Sequence, residues 1–302
     1  MDVRMKDVAV WGGRFILLVA LVFVAFEIRR HWSGISGWRP SASQLTLILS
    51  LSVPYALSLL LLAEGWHRIV NLFAAEPRAR TFPSFCVTQV AKYLPGNVAH
   101  LIGRGLYLRG NAVSDGGIVK ATLLELAVIP LGAAVIIVGM GALGLLSDLL
   151  PWFPDVGWYG TALVICIAIG CALLLPLRGP GIKGRQIAKV LPAIGLAAVF
   201  MLCLGGTFAA VFNLLSEAPV AVLAGAGIIA WLVGYLTPGA PGGIGTREAA
   251  LIALLSYLNQ EDTVLIATAL FRVVTTLGDV LLFLGSWLNV PRGASAGGTP
   301  NN

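Results

Sequence analysis

Thr237-Pro238-Gly239-Ala240-Pro241-Gly242-Gly243-Ile244-Gly245-Thr246-Arg247-Glu248 decides how this chain folds, because it cannot form regular helix yet lies among apolar runs. Proline lacks the backbone N–H and glycine admits left-handed angles, so two prolines and four glycines in twelve residues unwind the backbone. Helix can restart at the end of the stretch. Thr246 is placed to cap it, leaving backbone N–H groups and a positive dipole end beside Arg247, a setting that can hold an anion. A tight turn between two helices is the other reading. No Gly-Lys-Ser/Thr follows, which excludes a nucleotide-type phosphate loop.

The surroundings identify the solvent. Of 302 residues 58% are apolar and only 11% charged, with 20 basic and 14 acidic side chains. A soluble domain carries about 25% charge, and a core cannot absorb so large an apolar excess, so the composition is that of an all-α polytopic membrane protein. Disordered, collagen-like, coiled-coil and disulfide-scaffold classes are excluded on the same ground. The net charge of +6 points to anionic lipid headgroups, and no basic run is long enough for nucleic acid.

Apolar runs that approach or exceed the ~20 residues needed to cross a bilayer are Gly12 to Ile28, Ala42 to Ala63, Ile118 to Leu146, Trp158 to Leu177, Ile187 to Leu215, Val220 to Leu236 and Thr263 to Val290. The first resembles a secretory signal but has no small-residue cleavage site before Glu27, Arg29 and Arg30, so it reads as a retained span. The expectation is about seven transmembrane helices in a single domain over 1–290, with a disordered tail over 291–302.

Two stretches, Phe82 to Leu108 and Thr237 to Leu258, mix Pro, Gly and charge with apolar segments too short to cross. Non-helical backbone survives at membrane depth only where it faces protein or a watery cavity, so both are expected to be re-entrant, broken-helix segments. Arg68, Arg78, Arg80 and Lys92 flank one loop and Arg178, Lys183, Arg185 and Lys189 another, while Ser147 to Gly157 and Ser216 to Pro219 carry no basic residue. The positive-inside rule then puts the N-terminus, both broken segments and the tail on the cytoplasmic side of the plasma or inner membrane, with Arg29, Arg30 and Arg39 as a misfit outside.

The two broken segments echo one another. Tyr93-Leu94-Pro95-Gly96 followed by Ile102-Gly103-Arg104 recurs as Tyr235-Leu236-Thr237-Pro238-Gly239 followed by Ile244-Gly245-Thr246-Arg247, and Asp115 with Ala121-Thr122 recurs as Asp262 with Ala267-Thr268. Coincidence in a Gly-rich apolar chain is one explanation. An internal two-fold repeat, 12–146 and 187–290 joined by the 158–177 span, is the other, and such repeats place a substrate site between them. The loop count makes the copies parallel; miscounting one broken segment would make them inverted.

Lys92, Arg104 and Arg109 with Tyr93 and Tyr107 surround Pro95-Gly96-Asn97, an amphipathic basic setting suited either to lipid phosphate or to interfacial anchoring. Charge inside a span is costly and usually faces the bundle interior, which singles out Glu125, Arg272 and Asp279. Arg272 and Asp279 share a helical face but sit seven residues apart, ~10.5 Å of rise, so each needs a partner elsewhere; Glu125 or Glu248 is expected for Arg272. Such pairs either lock helices together or serve substrate. Cys86, Cys166, Cys171 and Cys203, and His31, His67 and His100, show no metal-ligand or disulfide spacing, so no metal and no cofactor are expected.

Val90-Ala91-Lys92-Tyr93-Leu94-Pro95-Gly96-Asn97, then Gly103-Arg104, Glu125, and Pro241-Gly242-Gly243-Ile244-Gly245 with Arg247-Glu248, resemble the lysylphosphatidylglycerol synthase transmembrane region, also called the flippase-like family. The resemblance spans roughly Phe15 to Val290, and Pro-Gly-Gly-Ile-Gly is its most specific element. It implies a lipid translocator without the soluble aminoacyltransferase, acting on phospholipids, polyprenyl-phosphate-linked sugars, hopanoids or glycolipids of the cell envelope. Candidate substrate-binding residues are Lys92, Tyr93, Pro95, Gly96, Asn97, Arg104, Glu125, Pro241, Gly242, Gly243, Gly245, Arg247, Glu248, Arg272 and Asp279. Anionic membrane lipids are the expected partners, with lipid-modifying enzymes or glycosyltransferases beside them. No catalytic constellation is visible, so the leading expectation is a flippase-like transporter rather than an enzyme; a membrane-embedded transferase or an accessory scaffold is the alternative.

Overall fold

The computed structural model describes residues 29, 39–94, 98–110, 112–146, 149, 189–237, 243, 245–258 and 260–289. The described residues form helices and no strand: α1 (Ala42–Ser50), α2 (Ser52–Val70), α3 (Arg78–Thr88) running into a 3-10 turn (Gln89–Tyr93), α4 (Ala99–Leu108), α5 (Asp115–Ala142), α6 (Leu191–Asn213), α7 (Val220–Leu236), α8 (Thr246–Leu255) and α9 (Glu261–Asn289).

Among the described residues, four helical stretches are long and apolar enough to cross a membrane: Ala42–Val70, Asp115–Ala142, Leu191–Asn213 and Glu261–Leu288. The expected spans at Gly12 to Ile28 and Trp158 to Leu177 lie outside the described residues, as does the 291–302 tail. Val220 to Leu236, expected as a full span, is a helix of only 17 residues, about 25 Å of rise. Thr237 turns extended after it and Pro238 follows, so the helix cannot continue.

Local sequence explains each helix end. The first span breaks at Leu51 between α1 and α2, because Pro54 has no N–H to give to the Ser50 carbonyl. Ser114 caps α5, its Oγ accepting from the Gly117 N–H at 3.2 Å, and Gly144 at φ 70° stops the chain just past it. α9 opens on Glu261 and Asp262, which suit the positive end of its dipole.

Packing relies on small residues. At Gly132 of α5 a Cβ would stand 2.7 Å from the Ala198 backbone of α6, and at Gly278 of α9 one would stand 2.9 Å from the Ser52 carbonyl of α2. Only glycine allows these helices so close, the usual device where lipid removes the hydrophobic drive to associate. α2 and α6 run antiparallel: Gln44 just ahead of α2 reaches the Leu214 carbonyl at the end of α6, while Gly65 late in α2 lies against Ala193 early in α6. Trp66, Phe85, Phe200, Phe208 and Phe212 fill the centre, and Leu57, Val119, Leu123, Leu191, Leu202 and Leu288 cover the outside. An apolar outside around a packed centre is what a bilayer solvates.

Candidate functional site

Among the described residues, seven charged side chains from the 3-10 turn, α4, α5, α8 and α9 meet in the bundle centre. Arg104 of α4 is buried; its guanidinium pairs with Glu125 of α5, donates to Gln89 Oε1 at 2.9 Å, and lies 4.0 Å from the Phe85 ring centroid. Trp66, which also faces it, donates to Ser84. Arg104 is therefore held at both terminal nitrogens, while its buried Nε has no hydrogen-bond partner. A carboxylate, an amide and an aromatic face fix the plane of a buried arginine.

Glu248 of α8 does two things. One carboxylate oxygen accepts from the Gly245 N–H at 2.5 Å, and the other accepts from Arg272 Nε of α9 at 2.9 Å. Arg272 also donates to the Gly243 carbonyl at 2.9 Å, tying the last span to the turn that opens α8. Here Gly245 stands at the cap position with φ 85°, a conformation only glycine adopts cheaply. Two expectations change as a result. Thr246 is the first residue of α8 rather than its cap, its hydroxyl donating to Gly243, and the helix N-terminus is already occupied by the chain's own Glu248 carboxylate. An external anion would have to displace it.

Asp279 of α9 is fully buried, with Lys92 Nζ 2.7 Å away and the Tyr93 hydroxyl donating to the same Oδ2. So Arg272 and Asp279 take separate partners on other elements, Glu248 and Lys92, as their spacing along one helix requires. Glu125, the other partner considered for Arg272, belongs to Arg104.

Arg247 is the exception. Its stem runs against Gly234 and Gly243, where a Cβ would fall 2.5 and 2.8 Å from it, and its guanidinium lies 5.5 Å from the Trp231 ring centroid. Its buried Nε has no hydrogen-bond partner, as that of Arg104 has none, but unlike Arg104 it has no carboxylate paired with it among the described residues. Trp231 is stacked on Tyr235 at 4.9 Å, and Tyr235 donates to the Leu126 carbonyl, so the aromatic wall beside Arg247 is anchored to α5.

A cavity of about 70 Å³ opens where these groups meet, lined by Lys92, His100, Arg104, Glu125, Tyr235 and Arg247, with Tyr55, Phe85, Phe200 and Trp231 as aromatic walls. Both broken segments thus contribute to one hollow. Among the described residues around it, Lys92, Arg104, Arg247 and Arg272 face three carboxylates, Glu125, Glu248 and Asp279, leaving one positive charge in excess. The excess sits at Arg247.

Of the residues proposed from sequence, Lys92, Arg104, Glu125 and Arg247 line the cavity, Tyr93 and Asp279 stand behind Lys92, and Gly243, Gly245, Glu248 and Arg272 build the turn beneath Arg247. Arg272, expected to meet substrate, is not a lining residue. Pro95, Gly96, Asn97, Pro241 and Gly242 lie outside the described residues. Sequence reasoning passed over His100, whose buried Nδ1 has no partner and which lines the cavity one helical turn before Arg104. That i,i+4 spacing was the available clue. Gln89, Tyr55 and Trp231 carried none, since their roles depend on segments far away in the chain.

No protein-family model, no curated protein and no solved structure matches this chain.

Proposed function

We propose that this protein is a flippase-like transporter that moves an anionic lipid, a phospholipid or a polyprenyl-phosphate-linked glycolipid, across the cytoplasmic membrane. The observation that carries this reading is Arg247: a cation without an acidic partner among the described residues, beside a hollow inside an otherwise apolar bundle. Buried unpaired charge is strongly unfavourable and persists where a ligand completes it. The cavity is far smaller than the ~300–1,000 Å³ of whole-ligand pockets, so it suits a phosphate-bearing head while the tails stay among the exposed leucines and valines.

The architecture supports the same reading. α3 with its 3-10 turn, then ten-residue α4, then α5 follow α2 in the order in which α7, ten-residue α8 and α9 follow α6. Gly278 lies 146 residues after Gly132, and their contact points Ser52 and Ala198 are also 146 residues apart. Because α2 and α6 are antiparallel, an operation that carries one onto the other reverses the chain direction. These relations favour an inverted repeat over a parallel one, with α3–α4 and α7–α8 as re-entrant hairpins from opposite faces and the site between the copies. The resemblance to the lysylphosphatidylglycerol synthase transmembrane region points the same way.

The test is reconstitution into phosphatidylcholine vesicles carrying fluorescent phosphatidylglycerol or fluorescent phosphatidylcholine. The anionic probe should equilibrate faster, and Arg247→Met should remove the difference. Equal rates for both probes, or an unchanged preference in Arg247→Met, would reject the reading.

A further inference from the structure

The three ion pairs around the cavity are not equally fixed. Arg104 has Glu125, Gln89 and two aromatic faces, and Arg272 has Glu248 and the Gly243 carbonyl; both side chains are 5% exposed or less. Lys92 instead has one ion-pair partner among the described residues, Asp279 at 2.7 Å, with the Tyr93 ring centroid 5.4 Å from its Nζ; its side chain is 21% exposed, and it lines the cavity. A compact ammonium on a flexible stem can swing; a forked, stacked guanidinium cannot. Lys92 is the releasable cation.

Asp279 is the group that release would strand. Its Oδ2 is shared by Lys92 and Tyr93, whereas Oδ1 is buried without any hydrogen bond. The charged and titratable groups around it are Lys92 and Tyr93 of the 3-10 turn, Tyr55 of α2, Arg247 of α8, and Arg272 on its own helix, itself held by Glu248. The other elements packed on α9 add only thiols and paired arginines: α1 has no ionisable side chain, α6 has Cys203, and α3 has Cys86 beside Arg78 and Arg80, which are paired with Glu64 and Glu76. Once Lys92 turns to an anion in the cavity, Asp279 is a buried carboxylate without its salt-bridge partner, a strongly disfavoured state. A proton on Oδ1 relieves it.

We infer that Asp279 is a proton site that competes with the anionic head for Lys92, so that each lipid phosphate bound in the cavity is accompanied by uptake of one proton from bulk water. The inference deepens the transporter reading above and rests on it. Proton uptake leaves four cations against two carboxylates, so the occupied site has two positive charges to offer the phosphate and its neighbours. Linkage fixes the sign: a site that takes up a proton on binding holds its anion more tightly as pH falls, by up to about tenfold per pH unit while Asp279 is ionised in the empty protein.

The test uses the purified full chain in two formats. In vesicles with fluorescent phosphatidylglycerol and a luminal pH dye, wild-type movement should quicken from pH 8 to pH 5.5 and shift luminal pH. Asp279→Asn, an isostere of the protonated acid, should move lipid at a pH-independent rate without proton movement, and Asp279→Glu should keep the dependence. In detergent, inorganic phosphate should raise the melting temperature of wild type more at pH 5.5 than at pH 8, and that of Asp279→Asn equally at both. Lipid movement with no pH dependence would overturn the coupling while leaving the transporter standing. Absent lipid movement with pH-dependent phosphate stabilisation in wild type and Asp279→Glu would do the reverse. Should Asp279→Asn misfold, a pH-independent phosphate effect in both wild type and Asp279→Glu overturns the proton site by itself.

Discussion

Gly132 and Gly278 occupy matching places: each is the eighteenth residue of its long helix, and each lets that helix touch the backbone of a span from the other half of the chain. α5 closes on α6 and α9 closes on α2, so each half is completed by the other. The cavity lies in this exchange, with Glu125 one or two turns before one glycine and Arg272 likewise before the other.

These contacts are tight enough to measure. Gly132→Ala and Gly278→Ala should each lower stability by about 1–3 kcal/mol, the usual effect of overpacking. Gly139→Ala and Gly206→Ala, where a Cβ meets open space, should be neutral or slightly stabilising. Thermal melts of the four variants in one detergent check the contrast, and equal effects at all four sites would contradict the close approach.

Arg104 and Glu125 form a buried pair whose halves depend on each other. Removing one leaves the other charged and unpaired, so Arg104→Met or Glu125→Leu alone should destabilise by about 3–5 kcal/mol, while the double variant recovers most of the loss. A double-mutant cycle on melting temperature reads the coupling. Additive losses would show that the two do not interact.

Arg247 behaves oppositely because among the described residues it has no carboxylate to strand. Arg247→Met keeps the stem between Gly234 and Gly243 and removes the charge, so the melting temperature should hold or rise. Movement of anionic lipid should fall by roughly 10–100-fold, the loss of one charge-assisted contact. A proportional fall for a zwitterionic lipid would mean that the residue does not read the net negative charge of the head.

Glu248 holds the first turn of α8 by its own carboxylate and anchors Arg272. Glu248→Gln should weaken both contacts, and amide hydrogen exchange over 245–250 should accelerate by at least about tenfold, the equivalent of ~1.4 kcal/mol of local stability. Unchanged exchange there would show that the turn is held by its glycines alone.

The membrane class of this protein was legible in the chain without any coordinates, because too few charges and runs of ~20 apolar residues leave no soluble solution. So were the interruptions at Pro and Gly, the grouping of Lys92, Arg104, Arg247 and Glu248 as unusual, and the need for Arg272 and Asp279 to find separate partners, since all of these follow from local backbone chemistry and helical pitch. Only the tertiary structure decided which charges cancel. Lys92 and Asp279 lie 187 residues apart in sequence, and Glu248 fills a helix end that looked open to a ligand. Periodicity states which face of a helix is special, but the face it meets is chosen by packing across the whole bundle, and that choice is what leaves Arg247 without a carboxylate among the described residues.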